Sequence, residues 1–231
     1  MTNFGFFCYT DTMKKYKCIL FDLDGTLTYS HEGIFACIRY ALAKMGREEP
    51  KEEWLRLCIG PSLEYSFQNY FGMSEADAVR ATELYRERYS VVGWKENAPI
   101  EGAVELLKAL QKAGYKTGLA TSKPIIYSAQ ITELFGLAPY LTEQVGPGLD
   151  GSLPTKASVI EEVMKRLGAS AEECLMVGDR MHDAEGAREN GVDCALLKLG
   201  YAENEAELER ANPRFIFEDY KGLSDLLLRE E

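Results

Sequence analysis

The run Tyr16 to Leu23 (YKCILFDL) is short, apolar and rich in strand formers, and it stops at the turn sequence Asp24-Gly25-Thr26. Further runs of this kind are Tyr115 to Thr121, Glu173 to Gly178, Val192 to Leu199 and, weaker, Arg214 to Phe217. Helical patterns lie between them. Gly102 to Ala113 sets Val104, Leu107 and Leu110 on one face, and Lys156 to Leu167 does the same with Val159, Ile160, Val163, Met164 and Leu167. Ala184 to Asn190 and Tyr220 to Arg229 read as shorter helices. Buried-type strands alternating with helices predict an α/β fold, a doubly wound parallel sheet covered on both faces.

The stretch from Ser30 to Asn97 breaks this alternation. Ile34 to Met45, Lys51 to Cys58, Leu63 to Phe71 and Glu75 to Tyr89 are amphipathic helical patterns with no convincing strand among them. Ser74 before Glu75-Ala76-Asp77 is a good helix start, and Ala98-Pro99 marks the return to the core. The expected division is a core of residues 16–29 and 98–231 with a small all-helical cap domain, residues 30–97, inserted after the first strand. Residues 1–15 read as an N-terminal arm, or translation begins at Met13.

A chain of 231 residues is long enough to bury a substantial core without staples. Its net charge of -11 repels nucleic-acid backbones and anionic membranes, so neither is expected as a partner. The same charge repels an anionic substrate unless the site supplies local cations. Six cysteines form no Cys-x-x-Cys pair; Cys18, Cys174 and Cys194 lie in apolar runs and read as buried free thiols, which points to a reducing, cytoplasmic compartment. His31 and His182 are the only histidines and lie too far apart in sequence to suggest zinc. The tryptophans and many tyrosines read as cap packing and surface.

Four small motifs carry candidate chemistry. Asp22-Leu23-Asp24-Gly25-Thr26 ends the first strand, and a turn at Asp24 can bring the second carboxylate beside the first, one as nucleophile and one as general acid and base. Thr121-Ser122-Lys123 ends the second strand, where hydroxyls and N–H groups suit a phosphoryl oxygen; Pro124 fits a first helical turn. Lys156 opens a helix, a mildly unfavourable place for a cation unless it has a task. Gly178-Asp179-Arg180-Met181-His182-Asp183 again ends a strand in carboxylates, the oxygen ligands that hard cations prefer. Each motif alone also has a plain reading as a turn, a cap or a solvated face. Together they set a nucleophile, an acid, a hydroxyl, a cation and metal ligands at the carboxyl ends of three strands, where such sheets carry their chemistry.

With FDLDGTLTYS, CIGPSLEYSF, ATSKP and VGDRMHDAEGARENG in this order, the chain resembles the haloacid dehalogenase superfamily of hydrolases, in its branch with a helical cap, and most closely the phosphoglycolate phosphatase-like group. The resemblance runs from Tyr16 to near the end. It implies a Rossmann-like core and a magnesium-dependent phosphatase acting on a small phosphorylated metabolite. Asp22 would be the nucleophile, forming an aspartyl-phosphate, and Asp24 the acid and then the base. Mg2+ would be held by Asp22, the main-chain carbonyl of Asp24, and Asp179, with Asp183 behind them. Thr121 and the next N–H would hold a phosphoryl oxygen, and Lys156 would offset charge. The cap would close as a lid, with Gly60-Pro61-Ser62 a candidate loop reaching the site or a plain helix-helix turn. Ser122, Lys123 and Arg180 are candidate substrate neighbours, although solvated faces explain the two cations as well. Two departures bear on substrate: Tyr29, where relatives often carry a small or acidic residue, and Ala202-Glu203, where another glycine is expected.

The same core admits a nucleotide 5'-phosphatase, a pyrophosphatase or a sugar phosphomutase. A dehalogenase is disfavoured because Asp24 would have no leaving oxygen to protonate. A non-enzymatic phospho-receiver domain shares similar groups but places its acidic pair on the first strand and its acceptor on a later one, and needs no lid. The chain is expected as a monomer or homodimer.

Overall fold

The computed structural model describes residues 16–202 and 204–228. The expected N-terminal arm, Cys8, Met13 and the departure at Glu203 lie outside these residues. In chain order the elements are β1 (Cys18–Phe21), β2 (Thr28–Tyr29), α1 (His31–Lys44), α2 (Glu52–Leu57), α3 (Leu63–Asn69), α4 (Glu75–Tyr89), β3 (Ala98–Pro99), α5 (Ala103–Lys112), β4 (Lys116–Ala120), α6 (Ile125–Leu134), β5 (Glu143–Val145), α7 (Lys156–Leu167), β6 (Cys174–Gly178), α8 (Met181–Glu189), β7 (Asp193–Leu197), α9 (Glu205–Ala211), β8 (Phe215–Phe217) and α10 (Tyr220–Leu227).

Six strands form one sheet in the order β5-β4-β1-β6-β7-β8. Every neighbouring pair is parallel. A fully parallel sheet needs both faces covered, and the residues of β1 show how. Ile19 and Phe21 join the cluster built with Leu107, Leu110 and Leu223 of α5 and α10. Cys18 and Leu20 point the other way, onto Val159, Ile160 and Val163 of α7. The register sets Phe21 beside Leu119 of β4 and Val177 of β6. Asp22, Thr121 and Asp179 follow at or just past the same rim of three adjacent strands.

Four helices, α1 to α4, stand between β2 and β3. These two-residue strands pair antiparallel, Thr28 with Pro99 and Tyr29 with Ala98, so the excursion leaves and returns through one short ladder. The inserted helices have their own core of Ile34, Phe35, Ile38, Leu55, Phe67 and Leu84. Ser74 caps α4 by accepting from the Asp77 N–H. Among the described residues, no helix is long and apolar enough to cross a membrane. Cys18, Cys37, Cys58, Cys174 and Cys194 are free and buried.

Candidate active site

The rim of β1 is where the acids converge. Asp22 continues the ladder, its N–H donating to the Val177 carbonyl at 2.9 Å, and is 8% exposed. Its Oδ1 lies 2.6 Å from Lys156 Nζ. The same ammonium reaches Asp183 Oδ1 at 2.8 Å and donates to the Ala120 carbonyl at 3.0 Å. Thr155 caps α7 by accepting from the Ser158 N–H, and Lys156 is the first residue of that helix. Gly186 makes room for it, because a Cβ there would stand 2.7 Å from Lys156 Cγ. The helix-opening lysine thus has its task, holding two carboxylates together.

Asp179 is fully buried. Its Oδ2 accepts from the Tyr201 N–H at 2.6 Å, and its Oδ1 lies 3.4 Å from Thr26 Oγ1. Two glycines allow this placement: a Cβ on Gly25 (φ +85°) or on Gly200 would stand 2.2 Å or 2.1 Å from Asp179 Oδ2. Asp183 turns its Oδ2 to the N–H groups of Asp179 and Arg180, each at 3.1 Å, closing the first turn of α8. Thr121 Oγ1 accepts from the Lys123 N–H at 3.2 Å, which leaves its own proton free to donate. Ser122 is exposed and lines the same cavity.

Burial dominates the electrostatics. It pushes the Asp22 carboxyl up to about 6, against the pull of Lys156 and with the help of Asp183 and Asp24. Burial, then Asp183 and Asp22, hold Asp179 well above the usual carboxylate range. Burial also opposes the charge on Lys156, but Asp183 and Asp22 outweigh it and leave the ammonium raised. Four carboxylates, Asp22, Asp24, Asp179 and Asp183, face the two cations Lys123 and Lys156. With all four ionised, that is an excess of two negative charges.

An excess of that size, set in oxygen donors, fits a divalent ion. Oxygens of Asp22, Asp179 and Asp183 all lie within 4.8 Å of one another and are buried. The set is all-oxygen and hard, which suits magnesium better than zinc. The histidines take no part in it: His31 bonds the Tyr201 hydroxyl through Nδ1 at 3.2 Å, and His182 Nδ1 is 3.7 Å from Glu185.

Lys123 and Arg180 are not solvated faces, because their residues are only 8% and 6% exposed. Lys123 Nζ lies 2.8 Å from Asp24 Oδ2 and donates to the Tyr89 hydroxyl at 2.8 Å. Burial works against its charge, but Asp24 and Tyr89 more than offset this and leave it raised. Arg180 pairs with Glu207 at 2.8 Å and donates to the Ile59 carbonyl at 2.7 Å, at the edge of the Gly60-Pro61-Ser62 loop. Gly60 and Ser62 both line the cavity, yet the Ser62 side chain accepts from the Tyr65 N–H as the cap of α3. Pro124 stands one residue ahead of α6, not inside it.

Tyr89, Tyr201 and Glu207 escaped the sequence reading. Tyr89 is both packing and a partner of Lys123, so reading the tyrosines as packing and surface alone was incomplete. For Tyr201 a signal exists in Gly200, whose missing side chain lets the loop after β7 lie against Asp179. Glu207 carries no local signal, since it acts on Arg180 from α9.

The cavity above this rim has a volume of about 690 Å³ and is lined by core and insert alike, including Tyr65, Tyr85, Tyr89 and Tyr127. A family model described as haloacid dehalogenase-like hydrolase matches residues 19–197. The chain is 40% identical over 217 residues to a 5'-nucleotidase of Pseudomonas aeruginosa, covering 94% of this chain and 98% of that protein. It is 34% identical to the tyrosine-protein kinase PtkA of Mycobacterium tuberculosis, over 80% of this chain and 63% of that one. A phosphoglycolate phosphatase of Vibrio parahaemolyticus matches at 29% identity, over 94% of this chain and 96% of its own length. Among solved structures, a predicted phosphatase from Clostridium acetobutylicum superposes with a TM-score of 0.86 at 37% identity, covering 91% of this chain and 97% of that one. The sheet, the acids at its rim and these likenesses agree, and the chain belongs to the haloacid dehalogenase-like hydrolase family.

Proposed function

We propose that the chain is a magnesium-dependent phosphatase that cleaves a small phosphate monoester through an aspartyl-phosphate on Asp22. The observation that carries this reading is Asp22 itself, a buried carboxylate steered by Lys156 at 2.6 Å on a rim shared with Thr121 and Asp179. Asp22, the Asp24 carbonyl and Asp179 would hold the metal, with Asp183 behind them. When bound, the ion neutralises phosphate charge and polarises the phosphoryl group.

The chain's own groups do the rest. Lys156 holds Asp22 Oδ1, leaving Oδ2 to attack phosphorus as the ester P–O bond breaks. Asp24 gives a proton to the departing alcohol oxygen. It then takes a proton from the water that attacks the aspartyl-phosphate, releasing inorganic phosphate and free Asp22. Thr121 donates its hydroxyl proton to a phosphoryl oxygen, joined by the Ser122 N–H. The insert α1 to α4 acts as a lid that keeps bulk water from the first step.

Two alcohols compete as leaving group. The phosphoglycolate phosphatase-like motifs favour 2-phosphoglycolate. The cavity favours something larger: about 690 Å³ with tyrosines along its wall suits a nucleoside 5'-monophosphate. The relative at 40% identity is named for that activity. A panel of both esters with p-nitrophenyl phosphate, compared by kcat/KM with and without Mg2+, is expected to show magnesium-dependent phosphate release, with nucleoside 5'-monophosphates first. Preference for 2-phosphoglycolate would reverse the substrate choice. Release of no phosphate from any ester would remove the phosphatase reading.

A further inference from the structure

Two cations of the core reach across to the inserted helices, and they differ in what holds them. Arg180 is anchored by Glu207 and donates to the Ile59 carbonyl; neither partner is an acid of the proposed reaction. Lys123 is anchored by Asp24 Oδ2 and donates to Tyr89, the last residue of α4. The ring of Tyr89 is fixed from both sides. Tyr85 of the same helix stacks on it at 5.2 Å, and Tyr127 of α6 in the core meets it edge-on at 5.1 Å. Lys123 Nζ also stands 5.1 Å from the ring centroid. Side-chain exposure of Lys123 is only 6%, and that of Asp24 is 14%. Water is therefore a poor substitute for either partner.

This arrangement makes the two oxygens of Asp24 unequal. Oδ2 is taken by the ammonium. Oδ1 is buried and has no hydrogen-bond partner among the described residues. Lys123 is therefore the group that sets the orientation of the Asp24 carboxyl. That holds only while Lys123 is kept in place, and the second group fixing its ammonium comes from the insert.

We propose that Tyr89 is a positioning residue for the acid step: its hydroxyl fixes Lys123, and Lys123 fixes the orientation of the Asp24 carboxyl that serves the departing oxygen. The inference rests on the reading of Asp24 as general acid and extends it to a residue outside the four motifs. It makes closure of the insert a condition for protonating the leaving group, in addition to a barrier against water.

The test uses esters whose leaving alcohols differ in acidity, because a good leaving group needs little protonation and a poor one needs it fully. With Mg2+ saturating, Tyr89→Phe keeps the ring and removes the hydroxyl. Its kcat/KM is expected to fall roughly 10- to 100-fold for an alkyl phosphate and less than about 2-fold for p-nitrophenyl phosphate. Retained p-nitrophenyl phosphate turnover also shows that the variant is folded. Lys123→Gln is expected to give the same selective pattern and serves if Tyr89→Phe does not fold. Arg180→Lys loosens the other contact and is expected to lower both esters by one common factor. Asp24→Asn is the reference and should be the most selective of all. Equal loss on both esters, or no loss, in both Tyr89→Phe and Lys123→Gln would overturn the inference if Asp24→Asn remains selective. An unselective Asp24→Asn would instead overturn the acid role on which it rests.

Discussion

Asp22→Asn is expected to lower turnover on the order of 10⁴-fold or more, to background, while the protein still folds. Asparagine has nearly the same shape but no anionic oxygen to attack phosphorus. Lys156 keeps Asp183 at 2.8 Å and the Ala120 carbonyl at 3.0 Å after the change, so the rim is not left with an unpaired buried cation. The amide also removes a cost. Burial raises the Asp22 carboxyl to about 6, so keeping it ionised at pH 7.5 costs about 1–3 kcal/mol in the metal-free protein. The metal-free variant is therefore expected to melt no lower than wild type at that pH. Phosphate release and a thermal melt on the same sample check both halves. An active variant would remove Asp22 as nucleophile, and a variant that is inactive because it is unfolded would miss the second expectation.

The strand ends were legible because each combines two strong local signals, an apolar run and a polar side chain that terminates it. Asp22, Thr121 and Asp179 follow from that pattern, and the parallel pairing of β1 with β4 and β6 brings them to one rim. Helix α7 was legible to the residue, from Lys156 to Leu167, because its apolar spacing is regular, and the structure adds Thr155 as its cap. Other parts left no such trace. The edge strand β5, Glu143–Val145, has three residues, the first two polar, and no apolar run. Helix α8 begins at Met181, ahead of the expected Ala184, because Asp183 caps its first turn from within. Lys123 and Arg180 stayed open between substrate neighbour and solvated face because a lone cation in sequence fits either. What buries them, Asp24 with Tyr89 and Glu207 with Ile59, comes from distant parts of the chain. A pattern read along the chain finds what one element does and misses what two elements do to each other.

Asp179→Asn tests the metal centre, and its expected effects extend beyond activity. Turnover should fall on the order of 10³-fold, because a buried carboxylate proposed to hold the ion becomes neutral. The second readout is stability. In the metal-free wild type, Asp22 titrates near 3.8 when unfolded and near 6 when folded, and Asp179 is raised as well. Between those values the folded state keeps a proton that the unfolded state has lost. Stability of the metal-free protein is therefore greatest at the acid end of this window for these groups, and it declines as pH rises through about 6. Magnesium would bind the ionised carboxylates and work in the opposite direction. At pH 7.5, Mg2+ in about 100-fold excess over its dissociation constant is expected to raise the melting midpoint by roughly 5–10 °C. At pH 4.5 it should do little, since protons then occupy the ligands. Asp179→Asn should flatten the pH dependence of the metal-free protein and abolish most of the magnesium shift. A wild type that melts at the same temperature with and without Mg2+ at pH 7.5 would show that these acids do not form a magnesium site. The gathering of four carboxylates, three of them buried, around only two cations would then need another explanation.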